Sequence, residues 1–222
     1  MVGYIMGTES AANNERSVLE SGLKELGLES STDLIETMVT YVDELDRWNR
    51  VFGFMRADRA RLVTHHILDS MAGLGTIRGL RRHSRIIDIG TGTGFPGIPL
   101  ALGMNSSTIT LVDRSARKVA FLRSVMVKLG LKNVRIMEAE IESVVGPFDV
   151  VVFRALAPLA GAIGPAAGLL GEDSTAVAYK GTKARIEAEL PDLLQRYTVS
   201  VLPVEVPFIS EERHLVLIRR RL

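Results

Sequence analysis

Cysteine is absent from the 222 residues, which removes disulfide scaffolds, Cys-based zinc sites and thiol catalysis together. The absence fits a reducing compartment. A surplus of either charge is also missing: 27 Lys+Arg stand against 26 Asp+Glu, a net charge of +1. No global field attracts nucleic acid, so any RNA or DNA site must be a local basic patch. No segment reads as a membrane span. The uncharged run Ala155–Gly171 has seventeen residues and contains Pro158, Pro165 and four glycines, short of the roughly 20 apolar residues needed. It reads as a buried, Ala-rich helix. Nor is a targeting segment expected, because Met1–Met6 has no Lys or Arg before it and the polar stretch Thr8–Arg16 follows at once. The expectation is a cytoplasmic protein. There is no internal repeat and no low-complexity tract. What remains is ordinary globular composition, 46% hydrophobic and 24% charged, long enough for one domain with an extension or two small ones.

The chain divides at about residue 83. Before it only helical patterns occur. Residues 1 to about 15 read as a frayed start, and Ser17–Leu28 as a first helix. Asp33 with Glu36 three residues on reads as a reciprocal N-cap, opening a helix in which Leu34, Met38, Val42, Leu45, Trp48 and Phe52 form one buried stripe. A third helix is expected over Asp58–Gly73. After residue 83 short β-rich runs alternate with helical ones: Arg85–Ile89, Thr108–Val112, Val134–Met137, Asp149–Phe153 and Ala176–Tyr179 are separated by Gly97–Leu102, Ala116–Leu129 and Leu159–Leu170. That alternation means crossover units and a mainly parallel sheet. After a helix over Lys183–Tyr197, Val199–Val206 and Arg213–Arg219 flank only a short loop, so they are expected to pair as an antiparallel hairpin. The organisation is a helical extension, 1–83, on an α/β domain, 84–222.

The strongest local signal is Asp88-Ile89-Gly90-Thr91-Gly92-Thr93-Gly94-Phe95-Pro96-Gly97, directly after the first strand. Glycines there let the chain turn sharply and let a ligand lie against bare main chain, with a helix start behind it. Gly92-x-Gly94-x-x-Gly97 matches the dinucleotide fingerprint, and Asp113 ends the second strand where an acid meets a ribose. Counted from Gly90, the same run is the Gly-x-Gly-x-Gly of S-adenosylmethionine (SAM) methyltransferases. Asp113 serves either cofactor, with a plain surface carboxylate as the alternative. Pro96 and Pro99 leave few N–H groups for a pyrophosphate, the terminal hairpin suits a methyltransferase sheet, and no dehydrogenase substrate domain follows. These three points favour SAM over NAD. No phosphate-loop motif is present.

With these residues assembled, the chain closely resembles the bacterial small-subunit (16S) ribosomal RNA guanine-N7 methyltransferases, the RsmG family, once called glucose-inhibited division protein B. The resemblance runs from about Val39 to the C-terminus. It is carried by His66-Ile67-Leu68-Asp69-Ser70, the glycine run with its Phe95-Pro96-Gly97-Ile98-Pro99 tail, Phe121-Leu122-Arg123, Arg154-Ala155, Lys180-Gly181 and Glu212-Arg213-His214-Leu215-Val216. It implies a class I SAM-methyltransferase, Rossmann-like, with a seven-stranded sheet. The implied reaction transfers a methyl group from SAM to N7 of one guanine in a decoding-region loop of 16S rRNA. The implied partner is 16S rRNA in the context of the small ribosomal subunit; the sequence does not set the oligomeric state, for which a monomer is the expectation. Cofactor contacts are implied at Asp88, Gly90, Gly92, Gly94, Phe95, Asp113, Ile141, Glu142 and Arg154, with Arg154 also at the catalytic pocket. RNA contacts are implied at His65, His66, Arg123, Lys180 and Arg213. Two departures fall in the extension: His65 replaces the family's frequent Arg, and Gly53-Phe54-Met55 stands where Asn-Leu-Thr is usual.

The chemistry asks for little beyond this. Guanine N7 carries a lone pair and no proton, so its methylation needs no general base, and none stands out on the ligand edge. N7 faces the major groove, which is closed to side chains in A-form RNA, so the target base must be unpaired or splayed out. Phosphate holding falls to basic clusters: Arg78, Arg81, Arg82, His83 and Arg85; Arg114, Arg117, Lys118 and Arg123; and Arg219–Arg221. Each residue alone reads as a solvated helix face, the set as an RNA footprint. His65, His66 and Asp69 share a helix but lack further ligands for a metal, and hold the cap against the cofactor mouth instead. Trp48 reads as core before it reads as a base-stacking platform. The alternative within enzymes is a same-fold methyltransferase of another RNA, and from another class a non-catalytic ribosome-binding module.

Overall fold

The computed structural model describes residues 2–81 and 84–221, with side chains from residue 13 onward. The crossover pattern folds as its alternation requires. Strands β1 (Arg85–Ile89), β2 (Thr108–Asp113), β3 (Val134–Glu138), β4 (Phe148–Arg154), β5 (Leu170–Lys180), β6 (Tyr197–Pro203) and β7 (His214–Arg220) form one sheet in the order β3-β2-β1-β4-β5-β7-β6. β1 to β5 pair in parallel, and β7 enters antiparallel between β5 and β6. The order reverses between β1 and β4, which opens a crevice at the carboxyl ends of those strands.

Strand side chains alternate between two apolar layers. Ile86, Val150, Val152 and Val177 pack under α6 (Gly97–Gly103), α7 (Ala116–Lys128) and the N-terminal helices. Ile87, Val151, Phe153 and Ala178 face the opposite layer, which contains α8 (Leu159–Ala166), α9 (Lys183–Glu189) and α10 (Pro191–Leu194). The Ala-rich run Ala155–Gly171 contains α8, followed by a 3₁₀ turn over Ala167–Leu169 and the start of β5, and its Leu159, Ala162 and Ile163 are buried as expected. Among the described residues no helix is long and apolar enough to cross a membrane.

The N-terminal helices share the first core. α1 spans Val2–Glu25, so a helix occupies what the sequence suggested as a frayed start. α2 spans Thr32–Phe52 and buries Ile35, Met38, Val42 and Leu45. Its N-cap is Ser31, whose side chain accepts the Leu34 N–H, and not Asp33. Glu36 accordingly faces Arg16 of α1 in a two-pronged ion pair instead of closing a capping box. Arg59 meets Glu15 and Asp43, tying α1, α2 and the next helix together. The helix expected over Asp58–Gly73 is not uniform: α3 (Arg59–Arg61) widens into a π-helical stretch, Leu62–Leu68, before α4 (Asp69–Ala72) and α5 (Leu74–Leu80). The π stretch carries His65 and His66. Such widened turns recur at functional sites because they rotate side chains out of the ordinary register.

Candidate cofactor and acceptor cavities

The turn after β1 is stapled by one buried acid. Asp88 is fully enclosed, and its Oδ2 accepts both the Thr91 hydroxyl at 2.6 Å and the Gly97 N–H at 2.8 Å. Those bonds pin the two ends of the loop to the strand that launches it. Gly90, Gly92 and Gly94 have φ of +63°, +63° and +102°, in the region L side chains rarely occupy. Gly97 is required for close approach, since a Cβ there would lie 2.2 Å from Leu111 Cδ2 and 2.7 Å from Asp88 Oδ2. The second strand completes the loop: Asp113 accepts the Gly92 N–H on Oδ2 and the Ser115 N–H on Oδ1, each at 2.9 Å.

Asp88 Oδ1 is buried with no protein partner. Burial, opposed by the hydrogen bonds from Thr91 and Gly97, pushes this carboxyl up to about 7. The folded chain then binds a proton that the unfolded chain releases near pH 4, so the contribution of Asp88 to stability falls as pH rises from about 4 to about 7 and is level above. Asp88→Asn, neutral at every pH, is expected to remove that slope. Thermal unfolding should find wild type and variant alike near pH 4 and the variant more stable at pH 8, by up to a few kcal/mol at about 1.4 kcal/mol per pH unit. A difference that does not change with pH would mean that Asp88 titrates normally.

Two cavities open at the carboxyl edge. The first, about 360 Å³, is lined by Gly90, Asp113, Lys118, Ile141, Glu142 and Leu156 among others. Asp113 forms its wall beneath β2, with Lys118 Nζ 3.7 Å from its Oδ2. Ile141 and Glu142 lie on a single 3₁₀ turn that follows β3. The second cavity, about 420 Å³, lies between the π stretch, the end of β5 and the start of β7, and is lined by His65, His66, Asp69, Lys180 and Arg213 among others. The two share Arg154 and Ala155, so the end of β4 is the partition between them.

Arg154 is fixed from three sides. One Nη donates to the His65 carbonyl (3.1 Å) and to Asp69 Oδ2 (3.0 Å), and the other meets His66 Nδ1 at 2.7 Å. Its guanidinium carbon stands 5.1 Å over the Phe95 ring, which also meets Tyr41 and His66. Ala155 follows at φ +50°, a strained position for a residue with a Cβ, and it turns the chain away directly after the arginine. Asp69 is buried between two cations, because its Oδ1 accepts from Arg213 Nε at 3.1 Å. Burial first, then Arg154, depresses His66 to about 3, which keeps the ring neutral and lets Nδ1 accept a hydrogen bond from the arginine N–H. The acceptor atoms of Asp69 and His66 are thus engaged with guanidinium groups, an arrangement built for arginines and not for a metal.

Of the cofactor residues expected from the sequence, Gly90, Asp113, Ile141, Glu142 and Arg154 line the first cavity. Asp88, Gly92, Gly94 and Phe95 line neither cavity and act from behind, by shaping the turn and seating Arg154. Of the expected RNA contacts, His65, His66, Lys180 and Arg213 line the second cavity, whereas Arg123 lies on the exposed face of α7 and lines neither. Lys180 is also committed inside the protein, to both oxygens of Glu189 and the Ala157 carbonyl. Glu189 has no motif around it and was invisible in the sequence.

The basic clusters do not form one footprint. Arg81 and Arg85 flank the start of β1 and pair with Asp149 at the foot of β4, on the sheet edge opposite the cavities. Arg78 caps the Gly103 carbonyl. Arg82 and His83 lie outside the described residues. β7 runs antiparallel, which carries Arg219 and Arg220 to that same far edge, bonded to Thr175 and the Ala167 carbonyl. Of the described residues in these clusters, only Arg114 and Lys118 border either of the two cavities described above.

The fold and motifs place this chain among known proteins. A SAM-dependent methyltransferase of Aquifex aeolicus superposes with a TM-score of 0.58 at 17% identity, covering 78% of this chain and 97% of that one. Magnesium protoporphyrin IX methyltransferase of Synechocystis, solved with bound SAM, gives 0.55 at 20% identity, covering 82% and 97%. At those identities the likeness establishes the class I methyltransferase fold. Sequence relatives are nearer. Ribosomal RNA small subunit methyltransferase G of Methylococcus capsulatus is 39% identical over 201 residues, 89% of this chain and 95% of that protein. Its counterpart in Laribacter hongkongensis is 36% identical over 208 residues, 91% and 97%. The profile described as rRNA small subunit methyltransferase G matches residues 34–216, from the first turns of α2 to the middle of β7. That span holds the glycine turn, Asp113, the π stretch and Arg154, and the chain therefore belongs to the rRNA small subunit methyltransferase G family.

Proposed function

We propose that this chain transfers a methyl group from SAM to N7 of a guanine in 16S rRNA, with the donor in the first cavity and the base in the second. The observation that carries the reading is the shared wall: Arg154 and Ala155 bound both cavities, so molecules in the two meet at the end of β4. The first cavity fits the donor. Gly90 supplies bare backbone at φ +63°, and Asp113, held by two main-chain N–H groups, keeps acceptor lone pairs for ribose hydroxyls. Ile141 and Glu142 close the side where an adenine would lie. When bound, SAM supplies an electrophilic methyl on a sulfonium. The protein's part is to hold the N7 lone pair in line with it, and positioning is the main catalytic effect. No proton leaves N7, so the neutral His66 is not needed as a base. Positive charge passes to the base during transfer, and the Asp69 carboxylate between Arg154 and Arg213 offsets the two cations that border the site.

The proposed substrate is rRNA within the small ribosomal subunit, methylated in the cytoplasm by a monomer. The test is incubation with SAM and unmodified small subunits, followed by N7-specific strand scission of the 16S RNA. One new scission site in a decoding-region loop is the expected result. Intact SAM binding without any new site would exclude this substrate.

A further inference from the structure

The end of α2 carries a surface that the chemistry above does not use. Phe52 is 44% exposed and Val51 is 73% exposed, although Phe52 rests on Trp48 and Phe54, which pack on the first core. The Phe52 ring is nearly parallel to Phe54, with centroids 5.5 Å apart and planes 15° apart, and Phe54 is nearly parallel to Trp48, at 6.4 Å and 17°. Trp48 is part-buried on Phe121 of α7, as its place in the apolar stripe required. It nevertheless belongs to a three-ring cluster, since Trp48 also meets Phe52 at 5.3 Å, and that cluster reaches solvent at Phe52. The rings are also held rigidly. Gly53 ends α2 in the left-handed region at φ +61°, and Asn49 clamps Met55 by accepting its N–H and donating to its carbonyl, each at 2.9 Å. These are the Gly53-Phe54-Met55 residues that depart from the family's usual Asn-Leu-Thr.

Resting on the reading of this protein as an rRNA methyltransferase, we propose that Phe52, Phe54 and Trp48 form a stacking platform for an unpaired base of the RNA substrate. Three observations commit the surface to that occupant. The rings are clustered and pre-ordered, Phe52 and Trp48 each lying within 17° of the Phe54 plane and 32° from one another, and any base has a π-face to lay on them. The charge around them suits a phosphate chain: Asp46 is matched by Arg50 and Glu44 by Lys128 and Arg47, whereas Arg56 and Arg117 are exposed with no ion pair among the described residues. Arg117 stands one turn from Phe121 on α7, toward the cofactor edge. Finally, the platform is continuous with the site, because Met55 Sδ touches the Thr93 hydroxyl of the glycine turn at 3.9 Å. A second copy of the chain is a poor occupant, since two exposed apolar side chains fall far short of the roughly 800 Å² per partner of a stable interface.

Trp48 is the only tryptophan, so its emission reports directly on this surface. The experiment titrates the full chain, without SAM, with a short unstructured RNA and with an abasic RNA of the same length and phosphate count. The expected result is quenching of Trp48 by the first and none by the second. Phe52→Ala is expected to weaken binding of the base-bearing RNA about tenfold, within the range for removing one stacking partner. Phe52→Tyr should restore it. The same Ala variant should methylate small subunits with a raised KM and an unchanged SAM affinity. Quenching by abasic RNA, equal affinity of Phe52→Ala and wild type, or a concentration-dependent dimer that Phe52→Ala dissolves would each overturn the platform. Failure of the enzymatic reading is read separately, as absence of methyl transfer by the wild type.

Discussion

Gly90→Asp is expected to abolish SAM binding, with calorimetry showing at least about a hundredfold loss of affinity, close to 3 kcal/mol. Gly90 lies at φ +63° on the wall of the first cavity, and a Cβ there would sit 2.3 Å from Leu156 Cδ1. The leucine is flexible enough to yield, but it lines the same cavity, so moving it and adding a carboxylate both consume ligand space. A second effect is electrostatic. The new charge would stand close to Asp113 and Asp88, where it would repel both those acids and the donor's own carboxylate. The chain should still fold, because Asp is among the few residues that tolerate the left-handed region. A folded variant with near-normal melting and no SAM binding is therefore the expected pair of results. Gly90→Ala should fall between, losing affinity to the displaced leucine alone. Unchanged affinity in Gly90→Asp would remove the first cavity as the donor site.

The parts of this molecule that were readable from the sequence are those dictated by short-range rules. Short β-rich runs alternating with helical ones and the three turn glycines admit few alternatives, and the mainly parallel pairing, the terminal hairpin and the positive φ values follow from them. The parts that were not readable depend on choices made by tertiary packing. Ser30, Ser31, Thr32 and Asp33 are all capable N-caps; the helix is capped at Ser31, which leaves Glu36 two residues beyond the capping-box position and able to meet Arg16 of α1. Apolar spacing cannot tell α from π over a few residues, so the widened Leu62–Leu68 turn was hidden although His66 and Asp69 were singled out. The basic clusters misled for a topological reason. Arg85 and Asp88 are three residues apart yet belong to opposite ends of β1, and the reversed direction of β7 sends Arg219 away from the site while His214 points toward it. Arg154 was found by motif, but the three acceptors that fix it come from a helix more than eighty residues earlier.

Those acceptors determine what Arg154→Ala should do. The guanidinium borders both cavities, so its loss reaches the donor and the base, but unequally. The donor cavity keeps Gly90, Asp113, Ile141 and Glu142, and SAM affinity should fall by less than about tenfold, or 1.4 kcal/mol. The partition between donor and base has no replacement. Phe95 loses the cation above its ring, His66 loses the donor to Nδ1, and Asp69 keeps only Arg213. Displacement of the partition by about 1 Å is enough to cost on the order of a hundredfold in turnover, and single-turnover methylation of small subunits should show that loss. Lysine should not rescue it, because one ammonium cannot span the His65 carbonyl, Asp69 and His66 in the plane a guanidinium provides. The pH dependence gives an independent check. His66 is held near 3 by burial and then by Arg154, so in the wild type folding resists its protonation, and its contribution to stability is lost as pH falls from about 6.5 toward 3. Without Arg154 the ring should titrate higher, and the acid loss of stability should shrink over that window. Equal losses of SAM affinity and turnover, with His66 titrating as before, would assign Arg154 to the donor alone and leave the second cavity without its link to catalysis.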